Sequence, residues 1–198
     1  MDNSLFRWIN RLANRTGWAH GIFTSYAKYG IVLFAVLLVA AYIDARQHDD
    51  FRAIAGSVWP AAAALVALRI GQLIGGAIDR ARPYEAMTDI HRLVDKTTDF
   101  SFPSDHATVA RAGAVGLLLT NRRRGIVTAV LAIVMAFTRV YVGAHYPGDV
   151  IAGLALCGAV AAAGTALAVP RLTRLAEHLS RIRFRIVLIS QTGQSNGA

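Results

Sequence analysis

Three short groups of residues carry side chains suited to holding and transferring a phosphoryl group. They are Arg80-Ala81-Arg82-Pro83, Phe102-Pro103-Ser104-Asp105-His106, and the spaced set Arg139, His145 and Asp149. A phosphoryl group in transfer spreads negative charge over its equatorial oxygens, so catalysis is largely positioning and charge stabilisation. Arg82 and Arg139 each offer a planar fork of donors that fits those oxygens, and Arg80 adds a third. Ser104 falls at the N-cap of an expected helix, with Asp105 and His106 in its first turn, and amides there form a ready anion site. A carboxylate bonded to one imidazole nitrogen leaves the other unprotonated and oriented. The expected roles are therefore His145 as nucleophile, Asp149 as its orienter, and His106 as general acid on the leaving oxygen.

Each residue alone has a plainer reading. A histidine and an aspartate four apart could be two metal ligands, although no third ligand of suitable spacing lies nearby. Arg139 could be an interfacial snorkelling residue, and His106 a capping or packing residue. Their order along the chain, and their convergence on one membrane face, point instead to a metal-free, cofactor-free site.

The elements that must position them are membrane helices. Of 198 residues, 55% are hydrophobic and 17% charged, against about 25% charged in a soluble domain. The apolar residues gather in five blocks, at 29–43 (extending back toward Gly21), 53–78, 104–120, 125–139 and 147–169. A full span needs roughly 20 residues, so the third and fourth are short. The net charge of +9 sits in clusters beside these blocks, at Arg122–Arg124 and at Arg171, Arg174, Arg181, Arg183 and Arg185. That arrangement fits the positive-inside rule rather than a nucleic-acid surface. Both clusters then lie on the cytoplasmic side, and the three motif groups meet on the opposite face. The basic-apolar alternation over 181–186 suits anionic lipid headgroups.

Arg7, Arg11 and Arg15 alternate with Leu5, Trp8, Ile9 and Leu12. This pattern predicts an amphipathic helix at the membrane surface, or a partial sixth crossing, rather than a cleaved signal peptide. Cys157 is the sole cysteine, so there is no intramolecular disulfide. Arg69 and Arg111 lie inside apolar blocks, where a charge usually faces a partner or a cavity. Structural pairing suits Arg69; Arg111 could touch a second phosphate. The fold expected is an all-α polytopic bundle, one domain over residues 1–190, with a disordered polar tail over 191–198.

These residues resemble the phosphatidic acid phosphatase type 2 superfamily. Its signature is a lysine, six residues and Arg-Pro, then Pro-Ser-Gly-His, then Ser-Arg, five residues, His, three residues and Asp. Arg82-Pro83, Pro103-Ser104-Asp105-His106 and Arg139–His145–Asp149 match it. The departures are Gly75 at the lysine, for which Arg80 could substitute, Asp105 at the glycine, and Thr138 at the serine. Gly75, Asp105 and the short length are most like the small bacterial undecaprenyl-diphosphate phosphatase branch. The resemblance implies a phosphohistidine mechanism and a polyprenyl or glycerolipid phosphate substrate. For that branch it implies recycling of the cell-wall carrier lipid at the cell membrane, with the site on the extracytoplasmic face. Phosphatidate, phosphatidylglycerol phosphate or another polyprenyl phosphate is the alternative substrate. A non-enzymatic anion- or lipid-binding membrane protein is the alternative of another class.

Overall fold

Helix dominates because long Ala-, Val-, Leu- and Ile-rich stretches must satisfy every backbone amide and carbonyl within the segment when lipid surrounds them. The computed structural model describes residues 1–181, so the tail and the basic-apolar alternation beyond Arg181 lie outside the described residues. The order is α1 (Asp2–Arg15), one 3-10 turn (Gly17–Ala19), α2 (His20–Gln47), α3 (Phe51–Ile78), the one-turn α4 (Pro83–Ala86), α5 (Asp105–Thr120), α6 (Arg122–Tyr141) and α7 (Pro147–Arg181). Among the described residues there is no strand.

Four helical stretches, Gly17–Gln47, Phe51–Ala86, Arg122–Tyr141 and Pro147–Arg181, are long and apolar enough to cross a membrane. The third expected span is different. α5 has only 16 residues, and it sits at the centre of the bundle, packed by α2, α3, α6 and α7. Most of its buried side chains are small, including Ala107, Ala110, Ala112 and Ala114, with Leu117 the large exception. Protein covers this helix on several sides, so its length need not match the bilayer. At Gly153 of α7 a Cβ would come within 2.5 Å of the Ser104 carbonyl; the missing side chain lets α7 seat directly against the start of α5. α2 begins well before residue 29, and α7 continues through Pro170 to Arg181.

Helix direction places the motif residues at one end and the basic clusters at the other. At the basic end Asn121 caps α6, its side chain accepting from the Arg124 amide at 3.1 Å. The Arg124 guanidinium pairs with Asp44 at the foot of α2, at 2.8 Å. At the motif end α3 finishes, α5 and α7 begin, and α1 lies across the end of α6 and the start of α7.

α1 is not a sixth crossing, because both its ends touch the same face. The Asp2 carboxylate accepts from the Gly148 amide at the start of α7 (2.9 Å). Thr16 hydrogen-bonds the Tyr141 hydroxyl at the end of α6 (2.6 Å). Phe6, Ile9 and Ala13 are buried beneath it, while Leu5, Trp8, Leu12 and, in the following turn, Trp18 stay exposed. Such amphipathic aromatics belong at the headgroup level. Asn10 is the pin: its amide donates to the His91 carbonyl (2.8 Å) and to the Tyr141 carbonyl (3.3 Å), and its oxygen accepts from the His91 amide (2.8 Å). Asn10→Ala takes the side-chain partner from the half-buried His91 amide and from the Tyr141 carbonyl, so it is expected to cost about 1–3 kcal/mol of stability. Thermal unfolding in detergent would register the loss, and an unchanged midpoint would count against the pinning role.

Candidate active site

Arg82, Arg139, His145 and Asp149 are strongly polar side chains, yet all four are buried. They converge beside a cavity of about 410 Å³ lined by Arg82, His106, Arg139 and Lys28 together with Tyr84 and Asp95. The start of α4, α6, the α6–α7 link and α7 contribute these four, and α5 adds His106, which is why neighbouring positions in space are so far apart in sequence.

Pro83 fixes the first position of α4, and Glu85 closes a capping box on the Arg82 amide at 3.0 Å. This turn aims the Arg82 guanidinium inward. Its Nη2 pairs with Asp99 (2.9 Å) and its Nη1 reaches both the Ala144 carbonyl and His145 Nε2, each at 3.1 Å. The link between α6 and α7 turns sharply through Gly143, whose φ of +80° favours glycine. It returns His145 under Arg82.

The tautomer of His145 follows from its neighbours. Nδ1 lies 2.7 Å from the Ser101 carbonyl, which can only accept, so Nδ1 carries the proton and Nε2 presents its lone pair. The expected partner, Asp149, stands 3.8 Å from Nδ1, too far for a hydrogen bond. Asp149 instead accepts from the Ser101 hydroxyl (2.5 Å), the Tyr146 amide (2.9 Å) and the Arg80 guanidinium (2.6 Å). It therefore orients His145 indirectly, by fixing the segment whose carbonyl holds the ring. Burial is the largest influence on His145 and, with the positive Arg139 and Arg82, lowers its pKa to about 4; Asp149 pulls the other way.

Arg80 is not at the cavity. Besides Asp149 it pairs with Asp2 of α1 (2.6 Å) and stacks 3.9 Å from the Tyr146 ring centroid. Two carboxylates and an aromatic ring occupy its guanidinium, so it braces the back of the site rather than facing a phosphate. Asp105 also turns aside, accepting from Gln72 of α3 at 3.1 Å. Arg69 and Arg111 are exposed on the bundle surface, and Arg111 lies against Gly158 of α7, away from the cavity.

Two buried polar atoms in the site have no hydrogen-bond partner among the described residues: Ser104 Oγ and Arg139 Nε. Among the described residues the Arg139 side chain otherwise makes a long contact from Nη1 to the Ala27 carbonyl, at 3.4 Å. Unmade hydrogen bonds at a buried cation and hydroxyl are costly, and an anion accepting from both would satisfy them. Sequence reasoning missed Ser101, Asp99, Asp2 and Lys28. Ser101 stands next to a motif and Lys28 one position before the block drawn from residue 29, but neither has a spacing signal of its own.

Residues 56–173 match the model of the PAP2 superfamily. The chain is 31% identical over 158 residues to undecaprenyl-diphosphatase BcrC of Bacillus subtilis, covering 78% of this chain and 77% of that protein. It is 40% identical over 131 residues to decaprenylphosphoryl-5-phosphoribose phosphatase of Mycobacterium tuberculosis, covering 66% of this chain and 67% of that one. Its fold is similar to the crystal structure of a transmembrane PAP2-type phosphatidylglycerolphosphate phosphatase from Bacillus subtilis. There the TM-score is 0.56 at 19% identity, over 93% of this chain and 88% of that one.

Proposed function

This chain belongs to the PAP2 superfamily of phosphatases, and from that premise we propose that it hydrolyses undecaprenyl diphosphate to undecaprenyl phosphate and inorganic phosphate, without a metal, through a phosphohistidine on His145. The observation that carries this reading is the His145 Nε2 lone pair, held 3.1 Å from the Arg82 guanidinium beside a cavity lined by a second arginine and a histidine.

In the first step Nε2 attacks the terminal phosphorus while the bond to the bridging oxygen breaks. Arg82, Arg139 and Ser104 hold the equatorial oxygens, where charge builds up. The leaving group is a phosphate monoester, stable as an anion. A monophosphate substrate must expel an alkoxide, which needs the proton of His106. In the second step water attacks the phosphohistidine and restores the imidazole. The basic end of the bundle, with Arg122–Arg124 and Arg171, belongs at the cytoplasmic face of the cell membrane by the positive-inside rule. The site then opens to the extracytoplasmic side, where the spent carrier lipid of cell-wall synthesis would meet it.

One observation favours a second reading. The relative at 40% identity is named as acting on a decaprenylphosphoryl sugar phosphate, so another polyprenyl-linked phosphate monoester is the alternative substrate.

Phosphate release by the purified protein in detergent with EDTA, offered undecaprenyl diphosphate, a polyprenyl-linked phosphate monoester, phosphatidate and phosphatidylglycerol phosphate in parallel, separates these. Release that resists EDTA and is fastest on the diphosphate is the expected result. Faster release from a monoester moves the substrate to the second reading, and loss of all activity in EDTA overturns the metal-free mechanism.

A further inference from the structure

α2 contributes a cation to the cavity that none of the three motif groups contains. Lys28 lines it beside Thr24 and Ala27, and the Ala27 carbonyl is the group that Arg139 Nη1 reaches. Lys28 thus stands next in the chain to the point where the second active-site arginine meets α2. It lies eight residues into α2, about 12 Å along the axis from the start of that helix. Lys28 is exposed, as Arg69 and Arg111 are, but unlike them it lines the cavity, and an ammonium in a membrane-crossing helix is costly unless it meets a partner or an anion. Among the described residues Lys28 makes no ion pair; its Nζ lies 5.4 Å from the ring centroid of its neighbour Tyr29.

Among the described cavity-lining residues, Arg82 and Arg139 are the only other cations of lysine or arginine type. From α3, position 75 cannot carry a long side chain, because a Cβ there would come within 2.7 Å of the Phe102 carbonyl and 3.1 Å of the Phe100 ring. Arg80 is held by Asp149 and Asp2. Arg82, Arg139 and Ser104 already suffice for one phosphate, and Asp95 is the sole carboxylate among the cavity-lining residues.

We propose that Lys28 is a substrate-binding residue that holds the second, lipid-linked phosphate of a diphosphate and so sets the preference for diphosphates over monophosphates. This rests on the proposed function, which it deepens by naming the subsite for the non-reacting phosphate. In the reaction that phosphate leaves with the lipid and gains charge as the bridging bond breaks, so the ammonium favours the transition state as well as binding.

The test uses Lys28→Met and Lys28→Arg in the full-length protein. Binding of methylenediphosphonate and of inorganic phosphate is followed by thermal shift, and kcat/KM is measured on undecaprenyl diphosphate. Lys28→Met is expected to weaken methylenediphosphonate by about tenfold or more, the scale of one charge-assisted hydrogen bond. Inorganic phosphate should change by less than about twofold, and kcat/KM should fall in step with methylenediphosphonate. Lys28→Arg should retain most of both. Equal weakening of the two ligands, or of neither, would overturn the assignment and leave Lys28 as a residue snorkelling to the interface. Selective loss of methylenediphosphonate in a protein that releases no phosphate from undecaprenyl diphosphate would sink the proposed function while the diphosphate subsite stood.

Discussion

His145→Ala is expected to abolish turnover, with kcat falling by at least about 10⁴-fold, because a missing nucleophile cannot be replaced by better positioning of the rest. The companion observation is covalent. Wild-type protein quenched during turnover of substrate labelled on the terminal phosphate should carry label that survives alkali and is released by acid, and the variant should carry none. Label in the variant at the wild-type level would place the nucleophile elsewhere. The acid dependence follows from the same burial. An ordinary histidine near 6.5 would lose its lone pair just below neutrality, but His145 is lowered to about 4. Protonation destroys the nucleophile, so activity is kept above the lowered value and lost as pH falls through it. With the substrate's own ionisation measured separately and divided out, the acid limb of kcat/KM should bend near pH 4. A bend between 6 and 7 would mean that the ring is not held neutral by its surroundings.

The part of this site that sequence could show is the part with spacing. Pro83 after Arg82, Pro103 before Ser104, and the interval from Arg139 to Asp149 are constraints along one chain, and each marks a helix end. Pairings across distant elements have no such mark. Asp149 lies four residues from His145, which suggests direct contact. The closer acceptor is a backbone carbonyl, and every residue has one, so no side-chain pattern can single out Ser101. Arg80 and Arg82 are two apart and chemically alike. Asp2, 78 positions earlier, joins Asp149 and the Tyr146 ring in drawing one to the back of the site while the other faces the cavity. The same limit shaped the fold. Blocks of apolar residues marked α3, α6 and α7, whose outer faces meet lipid. Thr24, Ser25 and Lys28 break the apolar run of α2 and left its expected start between residue 29 and Gly21, whereas the helix begins at His20; Thr24 and Lys28 are cavity-lining residues. α5 is short because neighbouring helices cover it, a fact about packing that composition does not carry. α1 was legible as amphipathic from its arginines, but its task of pinning the loop through Asn10 was not.

Arg139 gives the sharpest separation of activity from stability. It is 8% exposed, its Nε has no partner, and among the described residues no carboxylate pairs with it. A buried cation in that condition opposes folding until an anion arrives, and replacing it with an apolar side chain of similar length removes the opposition. Arg139→Met should therefore lower kcat/KM by about 10²–10³-fold, the usual cost of deleting one preorganised donor to a developing anion. It should at the same time raise the unfolding temperature of the ligand-free protein by a few degrees. In the wild type, phosphate or vanadate adds stability in proportion to the logarithm of its concentration over Kd; in the variant that increment should nearly vanish. Arg139→Lys keeps the charge but not the fork, so it should lose most of the activity while retaining part of the phosphate-induced stabilisation. The opposite pattern, a variant less stable than wild type but equally responsive to phosphate, would make Arg139 a structural residue. Charge stabilisation would then fall to Arg82 alone, although Asp99 already pairs with its guanidinium.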